Sequence, residues 1–293
     1  MSDAAIPKQR GAAAVLAYPT AVLAVFLLLP FGTMVAMSFY RRIPDGTFEA
    51  AFIFDNYVNL LRPFFVGNAA HSLAVAGTVA VVCVLLAFPF TYLLTRMRRR
   101  GQIVWLVFLL GILALSEVFI GFSWSVLLSR TAGVSNVPFW LGLLEKPVSL
   151  SPSGLAMMLG LCYLAFPYTV LVLFPSLSRL DPSLPEAART MGSSPLGAFF
   201  RVIVPVSRPA ILAALIMVFV FTLGAFVIPQ VLGKPQHWTL AVHITDAALN
   251  RANVPAAAAM SMALLAASLA LVALTAWIGQ RKAGGKAGGK AGR

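Results

Sequence analysis

Long uninterrupted apolar runs, separated by short polar segments, give this chain its pattern. An α-helix needs about 20 apolar residues to cross a hydrocarbon core about 30 Å thick, and six stretches are long enough. Residues 11–39, 154–178, 209–233 and 252–280 contain no charge at all. Residues 71–95 contain none while His71 is neutral, and 102–129 contain one, Glu117. The pattern predicts an all-α membrane protein with six transmembrane helices. The first run exceeds the about 7–15 apolar residues of a signal peptide, and five more follow it, so it is expected to remain a span. The expected organisation is an N-terminal tail (1–10), one membrane domain (11–280) and a disordered basic tail (281–293).

Composition supports the same class. The 293 residues are 60% hydrophobic and only 11% charged, with a mean hydropathy of +0.89. Soluble domains are about a quarter charged. A net charge of +13 would point to nucleic acid on a soluble protein, but here the basic residues lie between apolar runs. Their distribution sets the orientation. Fifteen of the 22 Lys and Arg residues fall in the two tails, the 96–100 connection and the 179–208 segment. Basic residues are retained on the cytoplasmic side. Both termini and residues 179–208 are therefore expected inside, in a multi-pass protein of the bacterial inner (plasma) membrane.

Both cysteines, Cys83 and Cys162, sit within apolar runs and read as small buried hydrophobes. The histidines His71, His237 and His243 form no metal-ligand spacing with carboxylates, and no metal or cofactor is expected. The tail repeats Gly-Gly-Lys but lacks the spacing and preceding strand of a phosphate-binding loop, so no nucleotide site is expected. The outer segments 40–70, 130–153 and 234–251 mix aromatic, charged and Pro-rich stretches and read as loops with short interfacial helices.

The 179–208 segment is the main polar interruption. Asp181 and Ser183 are candidate helix caps, and Pro182 and Pro185 suit a first turn. Glu186 follows, with its charge complementing the helix dipole. Ala187, Ala188 and Met191 favour helix, and Gly192 suits a left-handed terminus. Ser193-Ser194-Pro195 then opens a second short helix, which Pro205 is expected to break. Leu196, Phe199, Phe200 and Ile203 recur at i, i+3, i+4 and i+7, forming an apolar stripe. From the residues alone, two uses remain open: an amphipathic helix resting on lipid, or a docking element for a soluble partner.

Glu186-Ala187-Ala188, then Gly192, then Ile203-Val204-Pro205, resembles the EAA motif of permease subunits of binding-protein-dependent ABC importers. The chain departs from the motif at Val204, where Leu is commoner. Residues 121–136 and 225–233 resemble the spermidine/putrescine-like branch, and the resemblance spans roughly residues 70–280. It implies a cytoplasmic coupling helix between the fourth and fifth spans, with Glu186, Ala187, Ala188, Arg189, Gly192, Ser193 and Pro195 against an ATPase subunit. It also implies two such ATP-binding cassette subunits, a second permease subunit (paralogous or identical) and a periplasmic or extracellular substrate-binding protein. ATP hydrolysis would then lie on a separate subunit, and this chain is expected not to be an enzyme. Arg189 and Arg201 can be read equally as solvated cytoplasmic charges.

Glu117 is the one formally charged residue within an apolar run. A carboxylate at membrane depth faces a protein interior or a water-filled cavity. It either lines a path for a cation or marks a helix break and pairs with a basic group of a partner subunit. Trp124, Tyr163, Phe166 and Tyr168 are candidates for an aromatic wall along the path. Phe226 and Gln230 complete the candidate pathway set. A secondary transporter or channel using Glu117 as an ion or proton site is the competing reading. It would call for more intramembrane ionisable groups and an internal repeat. A membrane-embedded enzyme ranks last, since no paired carboxylates or nucleophile–base set appears.

Overall fold

The computed structural model describes residues 10–43, 48–130, 136, 139, 141–142 and 149–284. The chain begins with α1 (Arg10–Ser38), a two-stranded antiparallel hairpin of β1 (Arg41–Arg42) and β2 (Phe48–Glu49), and α2 (Asp55–Leu60). Next come α3 (Pro63–Arg96), α4 (Arg99–Leu113), α5 (Glu117–Leu127) and α6 (Gly154–Leu177). The segment that follows folds as α7 (Ser183–Thr190) and α8 (Pro195–Val206). The chain ends with α9 (Arg208–Gly224), α10 (Val227–Leu232), α11 (Leu240–Thr245) and α12 (Val254–Gly284).

Helices α3, α6 and α9 form the centre. On α3, Val75, Val79, Cys83, Ala87, Thr91 and Leu94 recur every three to four residues, and all are buried. Its opposite face is equally apolar but exposed, at Val81, Leu85, Leu86 and Leu93. A helix apolar on all sides with only one face packed is built to meet lipid on the other. Along α3 and α6 the core falls into two clusters. One holds Val75–Cys83 with α5 and α10, and the other holds Val84–Leu94 with α4 and the end of α8. Helix α1 packs mainly along α12, is tied at Ser38 to Asn56 and Tyr57 of α2, and exposes Leu23, Phe26 and Leu27.

Among the described residues, four helices are long and apolar enough to cross a membrane, and up to six segments qualify if each of two bent pairs, α4–α5 and α8–α9, counts as one span. Four expected spans correspond to α1, α3, α6 and α12. The span expected at 71–95 starts earlier, at Pro63, because proline at a first helical position sacrifices no hydrogen bond. The other two expectations need correction. Residues 102–129 are not one helix. They divide into α4 and α5, bent by 92° around Ala114–Ser116. Ser116 is extended, and Glu117 takes the first helical position of α5, where its charge meets the positive end of the helix.

Residues 209–233 divide into α9 and α10 at Ala225–Phe226. Proline has no N–H for the carbonyl four residues back, so Pro229 cannot bond to Ala225. Starting α10 at Val227 puts Pro229 in a first turn, where that N–H is not needed. Pro205 does not end its helix as expected. A wide turn at Phe199–Ile203 carries α8 past it, and the 70° bend falls at Ser207. Helix α12 continues to Gly284, four residues into the expected tail. Residues 1–9 and 285–293, and most of the 131–148 loop, lie outside the described residues.

At one end of the bundle the hairpin is tied to the turn after α11. Arg42 Nη2 donates to the Arg251 carbonyl (2.8 Å), and Arg251 Nε donates to Asp246 Oδ2 (2.6 Å). Asn250 donates to Asp246 Oδ1. The Asn250 bond, followed by the Arg251 bond and charge, holds the Asp246 carboxyl below the usual carboxylate range.

Candidate functional site

The segment between α6 and α9 is built by capping chemistry. The Ser183 N–H donates to Asp181 Oδ1 (2.9 Å), fixing the start of α7. That bond to the backbone also lowers the Asp181 pKa. Glu186 lies in the first turn of α7 and Arg189 in the last, each matched to its end of the helix dipole. The helix closes when the Gly192 N–H bonds the Arg189 carbonyl and the Ser193 N–H bonds the Ala188 carbonyl, both at 3.0 Å. Gly192 makes this turn with φ +87°, the left-handed conformation that disfavours any side chain. Ser194 Oγ then accepts from the Gly197 N–H (3.0 Å), and Pro195 opens α8.

No residue of α7 is buried. Glu186, Ala187, Arg189, Gly192 and Pro195 are exposed, and Ala188 and Ser193 are half-buried. The apolar stripe of α8 divides. Ile203 is fully buried and Phe199 half-buried, whereas Leu196 and Phe200 are 72% and 63% exposed. Met191, at the turn, is 88% exposed. A short capped helix carries its apolar tip outward while its companion is rooted in the core. Surface apolar groups clustered on a polar element mark a contact surface.

The pathway candidates are less unified. Trp124 on α5 and Tyr163 on α6 meet edge to face at 5.6 Å. Phe166 instead packs on Phe90, and Tyr168 stacks on Phe221 at 4.9 Å, so these aromatics do not form one wall. Their positions on α6 point to different neighbours. Glu117 is half-buried at the break before α5 and makes no hydrogen bond or ion pair among the described residues. Gln230 is exposed on α10. Helices α5 and α10, each following a break, pack together where Gly121 lies against Ile228 and Val231.

Phe226, at the second break, lines a cleft of about 350 Å³ with Leu223, Gly224, Thr245, Ser261 and Ser268. The three hydroxyl residues were not anticipated. Ser261 and Ser268 are seven residues apart, hence on one helix face, and that spacing was the available signal. Unwound backbone within an apolar run, such as Ala225–Phe226, needs protein or a water-filled cavity to satisfy it in a bilayer.

No protein-family model matches the chain. Individual relatives do. The spermidine/putrescine transport system permease protein PotB of Escherichia coli is 28% identical over 259 residues, covering 88% of this chain and 94% of the relative. The inner membrane ABC transporter permease protein YdcU of the same organism is 30% identical over 254 residues, covering 80% and 77%. The fold matches a bacterial ABC transporter that imports the acidic polysaccharide alginate, with TM-score 0.74 and 17% identity over 91% of this chain and 94% of the other. A second structure of an alginate ABC transporter, in complex with a periplasmic protein bound to alginate pentasaccharide, matches with TM-score 0.71 and 16% identity over 91% and 93%. Apolar helices that cross a membrane, broken spans held against a three-helix centre and this degree of identity over most of the chain lead to one conclusion: the chain belongs to the inner-membrane permease proteins of ABC transporters.

Proposed function

We propose that this chain is the membrane-spanning subunit of an ATP-driven importer for a small polar solute, with α7 as its coupling helix. In this reading the bent pair α4–α5 and the pair α9–α10 each complete a span. The chain then crosses six times, with both termini and α7 on the cytoplasmic side. The basic residues in 96–100 and 179–208 support that orientation. An ATPase subunit receives Glu186, Ala187, Ala188, Arg189, Gly192, Ser193 and Pro195. A second permease subunit completes the pathway, and an external binding protein delivers the solute.

The observation that carries the reading is α7 itself, a capped helix without a buried residue, closed at Gly192 and tipped by the exposed Met191. A lipid-resting helix would keep a continuous apolar face toward the membrane. Here the apolar residues are divided between the core and the outside.

The solute is proposed to be a polyamine, as for the spermidine/putrescine permease PotB. Glu117, Trp124 and Tyr163 suit a cation, since a carboxylate and aromatic faces both attract one. Phe226 and Gln230 sit at and beyond the second break and are assigned to the same pathway.

The test is reconstitution of the chain in proteoliposomes with its ATPase, partner permease and binding protein. Spermidine uptake should require ATP and persist when ion gradients are collapsed. Gly192→Val, which forces a side chain into φ +87°, should leave the chain inserted while uptake falls at least about tenfold. Normal uptake by that variant would refute the coupling assignment. Uptake driven by an ion gradient without ATP would refute the importer reading and return Glu117 to the role of an ion site.

A further inference from the structure

A coupling helix must push on something, and the main contacts of α7 are with α8. Helix α8 in turn meets the core through Phe199, Ile203 and Val204. Ile203 is fully buried with Leu94, Leu173 and Leu177. Phe199 is half-buried, its ring centroid 5.2 Å from that of Tyr92 and 5.6 Å from that of Phe88. Covalent continuity offers a poorer route, because the chain bends by 70° at Ser207 between α8 and α9. A bend of that kind absorbs motion in backbone torsions.

Phe88 and Tyr92 are separated by one helical turn and flank Pro89, the proline within α3. Pro89 has no N–H to bond the Leu85 carbonyl, so α3 lacks a rung of its ladder at this level. A ring pressed between residues 88 and 92 therefore bears on α3 where it yields most easily. The Arg96 guanidinium also lies 5.2 Å from the Tyr92 ring centroid, a cation–π contact that helps hold the ring. The local wide turn at Phe199–Ile203 displaces the backbone and aims Phe199 and Ile203 inward while Phe200 faces out.

We infer that Phe199 is the positioning residue through which α7 acts on the transmembrane bundle: its ring, seated between Phe88 and Tyr92, passes displacement of the insert into α3 at Pro89. The inference rests on the coupling reading of α7 and adds the route. It makes α3, and through it α6, the first helix moved. The exposed Leu196 and Phe200 remain free for the partner.

The test uses the full complex in proteoliposomes and a readout independent of the solute. Val126→Cys, on exposed α5, is introduced with Cys83→Ser and Cys162→Ser, and a membrane-impermeant maleimide measures its accessibility with and without ATP. Phe199→Ala should keep the complex assembled and its basal ATP hydrolysis within about twofold of the parent, while the ATP-dependent change in labelling shrinks at least about threefold. Phe199→Tyr, which retains the ring, should restore it. A residue that only fills space would instead lower assembly and hydrolysis together. If Phe199→Ala does not assemble, Tyr92→Leu removes the facing ring and carries the same expectation. Full ATP-dependent labelling in either assembled variant overturns the proposal. Loss of the change in Gly192→Val but not in Phe199→Ala overturns the route alone, whereas a normal change in both overturns the coupling reading with it.

Discussion

Two glycines fix α10, Gly160 through the approach of α10 to α6 and Gly233 through the close of its last turn. A methyl group on Gly160 of α6 would lie 2.6 Å from Leu232 Cδ1 and 2.9 Å from Ile228 Cγ2, both on α10. At Gly233 the obstacle is the Pro229 carbonyl oxygen, 2.5 Å away. Side-chain ends can shift, but a carbonyl that closes the end of a helix cannot do so cheaply. Gly160→Ala should therefore cost about 1–3 kcal/mol as an overpacking change, and Gly233→Ala should cost more. Thermal unfolding in detergent, followed by tryptophan fluorescence, checks this order. A Gly233→Ala protein as stable as the parent would show that α10 is not held by this contact. Gly192 differs in kind, because nothing crowds it and its conformation is the constraint.

At the scale of elements, the breaks matter more than the spans. The apolar runs identified which helices exist, because a run of about 20 apolar residues has one use in a bilayer. Capping and turn residues at 181, 192, 194 and 195 likewise made the insert legible, whereas Ser183 is the first helical residue of α7 and not its cap. The breaks were legible only in part, because composition does not change across Ala114–Ser116 or Ala225–Phe226 and a break at Glu117 was one of two readings. Only Glu117 and Pro229 marked them, each explicable as a first-turn residue. The inward turn of Phe199 was also illegible, since it depends on a local departure from the 3.6-residue period at 199–203. The same departure let α8 pass Pro205.

Placing Glu117 at the start of a half-helix reduces its cost, as backbone N–H groups and the dipole favour a carboxylate there. It remains without a partner among the described residues. If it attracts a cation, Glu117→Gln should raise the KM for spermidine about tenfold, the loss of one charge-assisted contact. Basal ATP hydrolysis should not change. An unaltered KM would leave Glu117 with the task of starting α5 and nothing more.

On the scale of the whole molecule, the chain is a tightly packed centre carrying less firmly held parts. Helices α3, α6 and α9 form the centre. Helices α5 and α10 lean on it from the broken spans, and α7 hangs from it through α8. Such an arrangement suits alternating access, in which packed units rock while short linkers absorb the torsion. Its direction of drive depends on α7 meeting an ATPase. The most direct test is a photo-crosslinking amino acid at residue 187, activated in the intact complex in membranes. The account predicts a crosslink to the ATP-binding subunit, with a yield that changes when ATP is bound. Crosslinks only to lipid, or none, would contradict it.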